Sequence, residues 1–191
     1  MAEVVLYHHA QGLTDGVRAF ADELRRAGHT VHLPDLYDGN TFETLDDGIA
    51  YAKKTGFGAL LDAGVAYAQD LPENLVYAGF SMGVMPAQKL TQTRPGARGA
   101  LFFDSCLPVE EFGDAWPTGV PVQIHGMIDD PWFAEDLPAA QALAAAAPAE
   151  AELFLYPGKA HLFADSSLPA HDPEAATLLL QRTLPFLANL P

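Results

Sequence analysis

The sequence predicts a single α/β domain over residues 1–191, built as a three-layer αβα sandwich around a mostly parallel sheet. Short apolar runs alternate with longer helical stretches along the whole chain. This alternation is typical of βαβ units, whose crossover helices cover both faces of a sheet. A length of 191 residues suits one domain with a hydrophobic core of its own.

Each predicted strand is a short apolar run, and each predicted helix carries apolar residues three and four positions apart. The stretch from Thr14 to Ala27 shows that helical spacing, and Gly28 follows it as a stop signal. The Gly-interrupted stretch from Thr41 to Gln69 predicts two helices. The predicted strands are 4–7, 30–33, 75–78, 100–103, 120–125 and 152–156, and the other predicted helices are 82–92, 137–147 and 173–187.

Composition and charge exclude several classes of function. The net charge is −15, from 25 acidic against 10 basic residues. Phosphate binding needs a basic surface, so neither nucleic acid nor an anionic membrane is expected as a partner. No apolar run reaches the length of a membrane span, and the chain starts with a predicted strand instead of a signal peptide. The one cysteine, Cys106, allows no intrachain disulfide, so we expect a cytoplasmic protein.

The strongest motif is Gly79-Phe80-Ser81-Met82-Gly83, which stands between a predicted strand and a predicted helix. A serine on such a turn is lifted out of the carboxyl edge of the sheet, where sites form in parallel α/β folds. Glycines two before and two after the serine remove side chains that would clash in so sharp a turn. The pattern therefore predicts Ser81 as an acyl-transfer nucleophile.

The nucleophile needs a base and an acid, because serine is weakly nucleophilic at neutral pH. His161 is the candidate base, since it lies in the loop just after the last predicted strand. Asp130 or Asp129, after the preceding strand, is the candidate acid that would orient the imidazole. Asp104 is a third candidate, although a turn or cap role is more typical of its position. The chain order Ser81, Asp130, His161 is that of the α/β-hydrolases.

Acyl transfer also places negative charge on a carbonyl oxygen, which requires N–H donors aimed at it. The backbone N–H of Met82 is one expected donor, and that of Ala10, in the loop after the first strand, is the other. The adjacent His8 and His9 are metal-ligand types, but neighbouring side chains on a strand point apart and no matching carboxylate spacing accompanies them. We therefore expect no metal and no other cofactor.

Together these residues make the sequence resemble the dienelactone hydrolase family of the α/β-hydrolase superfamily. The resemblance implies a compact α/β-hydrolase fold without a lid domain and a nucleophile–Asp–His triad. It favours Asp130 as the acid, because an apolar segment follows Pro131, whereas counting from Gly126 favours Asp129. The resembling segments are 4–13, Leu33-Pro34-Asp35-Leu36-Tyr37, the Ser81 motif, Ile124-His125-Gly126, Asp130-Pro131 and Gly158-Lys159-Ala160-His161-Leu162-Phe163.

The sequence departs from the namesake enzymes of the family at three positions. Ser81 stands where those enzymes carry a cysteine, and Cys106, elsewhere in the chain, is expected to be structural. His9 falls at the position of a glutamate that contacts that cysteine. Asp165, four residues after His161, stands where an arginine binds the substrate carboxylate, so an acidic substrate is expected to be repelled.

We therefore expect a serine hydrolase that cleaves small esters or related acyl compounds through an acyl-enzyme. The alternative is a non-catalytic binding or interaction protein on a hydrolase scaffold, because fold alone does not fix function. The expected partner is a small-molecule ester, and the chain is expected to be a monomer or a small homo-oligomer. The candidate pocket walls are His9, Phe80, Trp132, Phe133 and Phe163.

Overall fold

The structure, a computed structural model, describes residues 1–190 and consists of a six-stranded sheet between two layers of helices. The strand order is β2-β1-β3-β4-β5-β6, and every neighbouring pair is parallel. The predicted fold class is confirmed. The strands are β1 (Glu3–Tyr7), β2 (Thr30–His32), β3 (Val76–Phe80), β4 (Gly99–Phe103), β5 (Val122–Met127) and β6 (Ala151–Tyr156). The helices are α1 (Asp15–Arg26), α2 (Leu45–Thr55), α3 (Phe57–Tyr67), α4 (Val84–Thr93), α5 (Phe133–Ala146) and α6 (Pro173–Asn189).

Two apolar clusters hold the sheet between the helical layers. On one face Phe80 and Phe103 pack with their ring centroids 4.7 Å apart, and Phe20 of α1 lies 5.1 Å from Phe80. On the other face Phe102 packs with side chains of α4 and α5. Adjacent residues of a strand serve opposite clusters, because successive strand side chains point to opposite faces. Each fully buried ring of this kind stabilises the fold by about 2–3 kcal/mol.

The predicted elements are all present, with ends that differ by at most four residues. The largest difference is α5, which begins at Phe133 and includes Pro138 in its second turn. Because a proline has no N–H to donate within a helix, the sequence pattern predicted a helix that starts only at residue 137, next to this proline. β5 begins after Pro121, two residues later than predicted, because proline cannot donate to the ladder of a central strand.

The long segment between β2 and β3 contains α2 and α3, as its Gly-interrupted sequence predicted. Thr44 caps α2 by accepting a hydrogen bond from the Asp47 N–H, and Gly56, with φ of 95°, separates the two helices. α2 packs directly on the loop after β1. A Cβ atom on Gly48 would lie 2.2 Å from the carbonyl oxygen of Ala10. Only a glycine allows this approach, which brings α2 to the carboxyl edge of the sheet.

α6 is the longest helix and covers one face of the sheet. Asp172 caps it by accepting hydrogen bonds from the N–H groups of Glu174 and Ala175, and Pro173 occupies its first position. Its apolar residues, Leu179 and Leu187 among them, belong to the cluster that includes β1, β3 and β4. No helix within residues 1–190 is long and apolar enough to cross a bilayer.

Candidate active site

Ser81 lies on the sharp turn between β3 and α4. Its φ is 47°, in the left-handed region that few residues other than glycine adopt. A Cβ atom on Gly79 would lie 2.2 Å from the carbonyl oxygen of Gly83, and one on Gly83 would lie 2.5 Å from that of Tyr7 in β1. Both glycines are therefore required by backbone that passes within contact distance, and the turn they permit carries Ser81 to the edge of the sheet.

His161, in the loop after β6, contacts both partners that the sequence assigned to it. Its Nε2 lies 2.9 Å from Oγ of Ser81, and its Nδ1 lies 2.7 Å from Oδ2 of Asp130. Asp130 is fully buried after β5, and its other oxygen accepts a hydrogen bond from the Trp132 N–H at 3.0 Å. Asp129, by contrast, is exposed. The structure brings together Ser81, His161 and Asp130 and leaves Asp129 outside the group.

The surroundings of His161 favour its protonated form. Burial alone would lower the pKa of this imidazole. The hydrogen bond with Asp130 and the nearby carboxylates, Asp130 and Asp136 among them, outweigh that effect, and the pKa is raised above its usual value. An imidazolium is therefore easier to form here than in water, which suits a base that must hold the serine proton.

Ala10 and Met82 border a cavity of about 290 Å³ beside Ser81. The Met82 N–H belongs to the first turn after the serine, where N–H groups have no helical carbonyl to bind. The Ala10 N–H, in the loop after β1, donates to no backbone carbonyl within residues 1–190. Both residues whose N–H groups are expected to bind an oxyanion therefore border the cavity that contains Ser81.

The histidines after β1 hold this loop in place. His8 donates from Nδ1 to the His9 carbonyl at 2.7 Å and accepts from the Leu36 N–H through Nε2 at 3.0 Å. Burial lowers the pKa of His8 to about 4, so its ring is neutral at neutral pH. His9 accepts from the Gln11 N–H at 3.2 Å and donates from Nε2 to Asp165 at 2.8 Å. All four ring nitrogens are engaged in hydrogen bonds within the protein.

Asp165 is a buried anchor, and the prediction that it repels a substrate carboxylate is wrong. Its carboxylate accepts hydrogen bonds from His9, from Oγ1 of Thr14 at 2.5 Å and from the Ser167 N–H at 2.8 Å. Burial alone would raise its pKa, but these bonds outweigh burial and lower the pKa to about 2. The carboxylate thereby ties the loop after β1 to the loop that follows His161, away from the cavity.

Of the five candidate pocket walls, Trp132 is the one that lines the cavity, and its side chain is 44% exposed. The prediction is wrong for the other four, whose side chains are fully buried. Whether they lie in a strand, a helix or a loop, the backbone directs these side chains into the interior beneath the site instead of toward solvent. These four residues are His9, Phe80, Phe133 and Phe163.

The cavity has two lobes that share Leu45, Trp132 and His161 as walls. The acyl-side lobe, as we name the part of about 290 Å³ that contains Ser81, is also lined by residues of α2 and α3. The outer lobe, of about 500 Å³, lies on the side of Asp130 and Lys159. The α2 and α3 residues were missed from the sequence because an amphipathic helix carries no sign of which apolar residues face a cavity. These residues are Leu45, Ile49, Lys53 and Phe57.

Three side chains within residues 1–190 lie close enough to share a cation. They are Asp104, Asp130 and His161, whose ligand atoms are within 4.8 Å of one another. Asp130 and His161 already hydrogen-bond to each other, so a cation would have to displace that bond. The set therefore fits an acid–base arrangement better than a metal centre.

Cys106 is fully buried in the apolar cluster that also contains Phe102. Burial, assisted by the charge of Asp136, raises the pKa of its thiol to about 12. The thiol therefore stays protonated and unreactive at neutral pH, which fits the structural role expected for it.

A parallel sheet with a serine on the sharp turn after a central strand defines the class of the α/β-hydrolases. The profile of the dienelactone hydrolase family matches residues 1–190. The chain therefore belongs to the dienelactone hydrolase family, and the resemblance noted in its sequence is confirmed. Its expected class, a hydrolase that acts on ester bonds, is confirmed at the level of the family. Among curated protein sequences, none matches this chain.

Solved structures share the fold at low sequence identity. The dienelactone hydrolase from Anabaena variabilis is 19% identical, with a TM-score of 0.67 over 100% of this chain and 87% of that one. A dienelactone hydrolase-like promiscuous phosphotriesterase from metagenomic libraries is 18% identical, with a TM-score of 0.75 over 100% and 87%. A cold-adapted esterase from an Arctic intertidal metagenomic library is 17% identical, with a TM-score of 0.59 over 100% and 83%. At these identities the likeness establishes the fold.

We expect Asp165→Asn to destabilise the protein at neutral pH and the loss to shrink in acid. The folded-state pKa of about 2 lies below that of an unfolded aspartate. The ionised carboxylate therefore stabilises the fold above about pH 4, and this contribution disappears as the pH falls toward 2. A shift of this size corresponds to about 2 kcal/mol in the free energy of unfolding.

Urea unfolding of wild type and Asp165→Asn between pH 7 and pH 3 measures this difference. Exposed Asp129→Asn is the matched control, and it should change the free energy of unfolding by less than about 0.5 kcal/mol. A loss of stability in Asp165→Asn that is the same at every pH would contradict the role assigned to the charge of Asp165.

Proposed function

We propose that the protein is a serine hydrolase that cleaves small esters or related acyl compounds through an acyl-enzyme. The observation that carries the proposal is the chain of hydrogen bonds from Ser81 to His161, at 2.9 Å, and on to Asp130, at 2.7 Å. As Oγ attacks the substrate carbonyl, its proton passes to Nε2 of His161. The buried carboxylate of Asp130 holds the ring and stabilises the imidazolium.

The remaining steps use the same groups. The N–H groups of Ala10 and Met82 border the cavity where the carbonyl oxygen becomes an oxyanion, and they would donate to it. His161 then returns its proton to the leaving oxygen, and the acyl group stays on Ser81. A water molecule, deprotonated by His161 in turn, attacks the acyl-enzyme. His161 then returns this proton to Oγ of Ser81 as the bond to the acyl group breaks and the acid is released.

The two lobes of the cavity suggest how an ester would lie in the site. The acyl-side lobe contains Ser81 and both expected oxyanion donors, so we assign it to the acyl group. The outer lobe would receive the leaving group, because it borders His161, which must protonate the leaving oxygen, but does not contain Ser81. Volumes of about 290 and 500 Å³ suit small acyl groups and somewhat larger alcohols.

A non-catalytic binding protein on the same scaffold is the alternative. The buried Asp130 and the raised pKa of His161 are typical of an acid–base site, which favours the enzyme. A cytoplasmic location, supported by the single cysteine, remains part of the proposal, as does one domain across the chain. The oligomeric state, a monomer or small homo-oligomer, stays a prediction.

A fluorophosphonate probe tests the nucleophile. We expect the folded wild type to be labelled, Ser81→Ala to lose labelling completely, and exposed Ser166→Ala to be labelled as wild type. Mass spectrometry of the digested adduct should locate the label on Ser81. Absence of labelling in the folded wild type would favour the binding-protein alternative.

The choice of acid is tested by a matched pair of neighbours. Asp130→Asn removes the charge that stabilises the imidazolium of His161 and should lower kcat by about 100-fold or more. Asp129→Asn, at the exposed adjacent position, should leave kcat within about twofold. The reverse result for the two variants, measured with a p-nitrophenyl ester at saturation, would mean that Asp129 is the acid.

Two bulky substitutions test the assignment of the lobes. Ile49→Trp narrows the acyl-side lobe and should lower kcat/KM for octanoate relative to acetate esters about tenfold or more. Leu168→Trp narrows the outer lobe and should instead discriminate against large alcohols in a series of acetate esters. If Ile49→Trp alters the alcohol preference and Leu168→Trp the acyl preference, the ester lies in the opposite direction.

A further inference from the structure

Asp104 is a carboxyl group that the mechanism above does not use. It follows β4 at the carboxyl edge of the sheet and is fully buried. Neither of its side-chain oxygens accepts a well-aligned hydrogen bond within residues 1–190, although the Leu162 N–H is near enough to lower its pKa slightly. An ionised carboxylate left in this state would cost several kcal/mol.

The backbone holds this side chain against the group of Ser81, His161 and Asp130. Asp104 has a φ of 59°, and its N–H donates to the carbonyl of His125 in β5 at 2.7 Å. Its carboxylate lies within 4.8 Å of ligand atoms of both Asp130 and His161. A left-handed conformation at a residue other than glycine costs about 1–3 kcal/mol and is common at functional sites.

We propose that Asp104 is a second acid of the site and acts as a positioning residue. It holds a proton while Asp130 is ionised, and its negative charge stabilises protonated His161 when Asp130 carries no charge. This inference rests on the proposed hydrolase function. Two carboxyl groups so close cannot both ionise without a large repulsion. Asp130 has two hydrogen-bond donors, His161 and the Trp132 N–H, so the charge belongs on Asp130 and the proton on Asp104.

The titratable groups around the cluster agree with this distribution of charge. Burial raises the pKa of Asp104 to about 7, while the charge of His161 acts to lower it and that of Asp130 to raise it. Tyr156, which faces Asp104, keeps its proton because burial raises its pKa. Burial lowers the pKa of His125 to about 3, so that ring stays neutral.

Asp136 is a further charged neighbour of the cluster, and it acts on His161 instead of on Asp104. Its carboxylate is bound by the Ser105 hydroxyl at 2.5 Å. Within the cluster itself, Asp104 is thus the group that can gain a negative charge when Asp130 loses one. The charge would then lie close enough to His161 to stabilise its protonated form.

The pKa of His161, measured by NMR titration, tests the proposal without requiring activity. Four proteins are compared: wild type, Asp104→Asn, Asp130→Asn and the double variant, with His161→Gln to identify the resonance. We expect Asp104→Asn to change the pKa of His161 little in the wild-type background. In the Asp130→Asn background the same substitution should lower that pKa by at least about one unit, a tenfold change in proton affinity.

Ester hydrolysis by the same proteins gives a parallel readout. Asp104→Asn should lower kcat/KM by no more than about threefold alone and by at least about tenfold when Asp130 is already asparagine. Equal effects in both backgrounds, on the pKa of His161 and on kcat/KM, would mean that Asp104 only fills space and would overturn the proposal. Asp104→Ser replaces Asp104→Asn if circular dichroism shows that the asparagine variant does not fold.

Infrared spectroscopy observes the proton directly. We expect the carbonyl band of a protonated carboxyl group in wild type at pH 6 and its loss in Asp104→Asn. A folded wild type without this band overturns the proposal. If the band and the pKa effect are present but no ester is cleaved, the role of Asp104 stands and the proposed hydrolase function fails, so the two failures are distinguishable.

Discussion

The site depends on a close approach of backbone to backbone at the turn after β3. Gly83 lies so near Tyr7 of β1, and Gly79 so near Gly83, that a single methyl group at either position would overlap a carbonyl group. The left-handed conformation of Ser81 lies within this tight turn, which places the start of α4 against β1. The N–H that follows the serine and the loop that follows β1 are therefore neighbours. The proposed nucleophile and the proposed oxyanion donors therefore depend on the same packing constraint.

The fold and the core of the site could be predicted because their signals are local. Apolar runs, helical spacing and the two glycines around Ser81 each act within a few residues, and parallel strands necessarily bring their carboxyl ends to one edge. That edge is where Ser81, Asp130 and His161 meet. The choice between Asp130 and Asp129 could not be made in the same way. The two residues are adjacent in one loop, yet Asp130 is fully buried and Asp129 is exposed. This difference follows from the conformation of the loop and not from the sequence pattern.

The errors fall on residues whose roles depend on distant partners. Asp165 and His9 are 156 positions apart in the chain, and no local pattern links them. Phe80 and Phe163 flank site residues in sequence, yet the turns beside them direct the flanking side chains inward while the site residues face out. The three buried carboxylates near the site differ in their hydrogen-bond partners, which the local sequence does not indicate either. Asp165 and Asp130 accept hydrogen bonds from side chains, whereas within residues 1–190 neither carboxylate oxygen of Asp104 accepts a well-aligned one.

The contact between Gly48 of α2 and the carbonyl of Ala10 has a consequence for selectivity. The same helix is one wall of the acyl-side lobe, so in the proposed enzyme it would both limit the size of the acyl group and support the loop whose N–H would bind the oxyanion. An acyl chain that forces α2 outward would also withdraw support from that donor. Oversized substrates would then be penalised at the transition state more than at binding, and selection for size would appear as turnover instead of affinity.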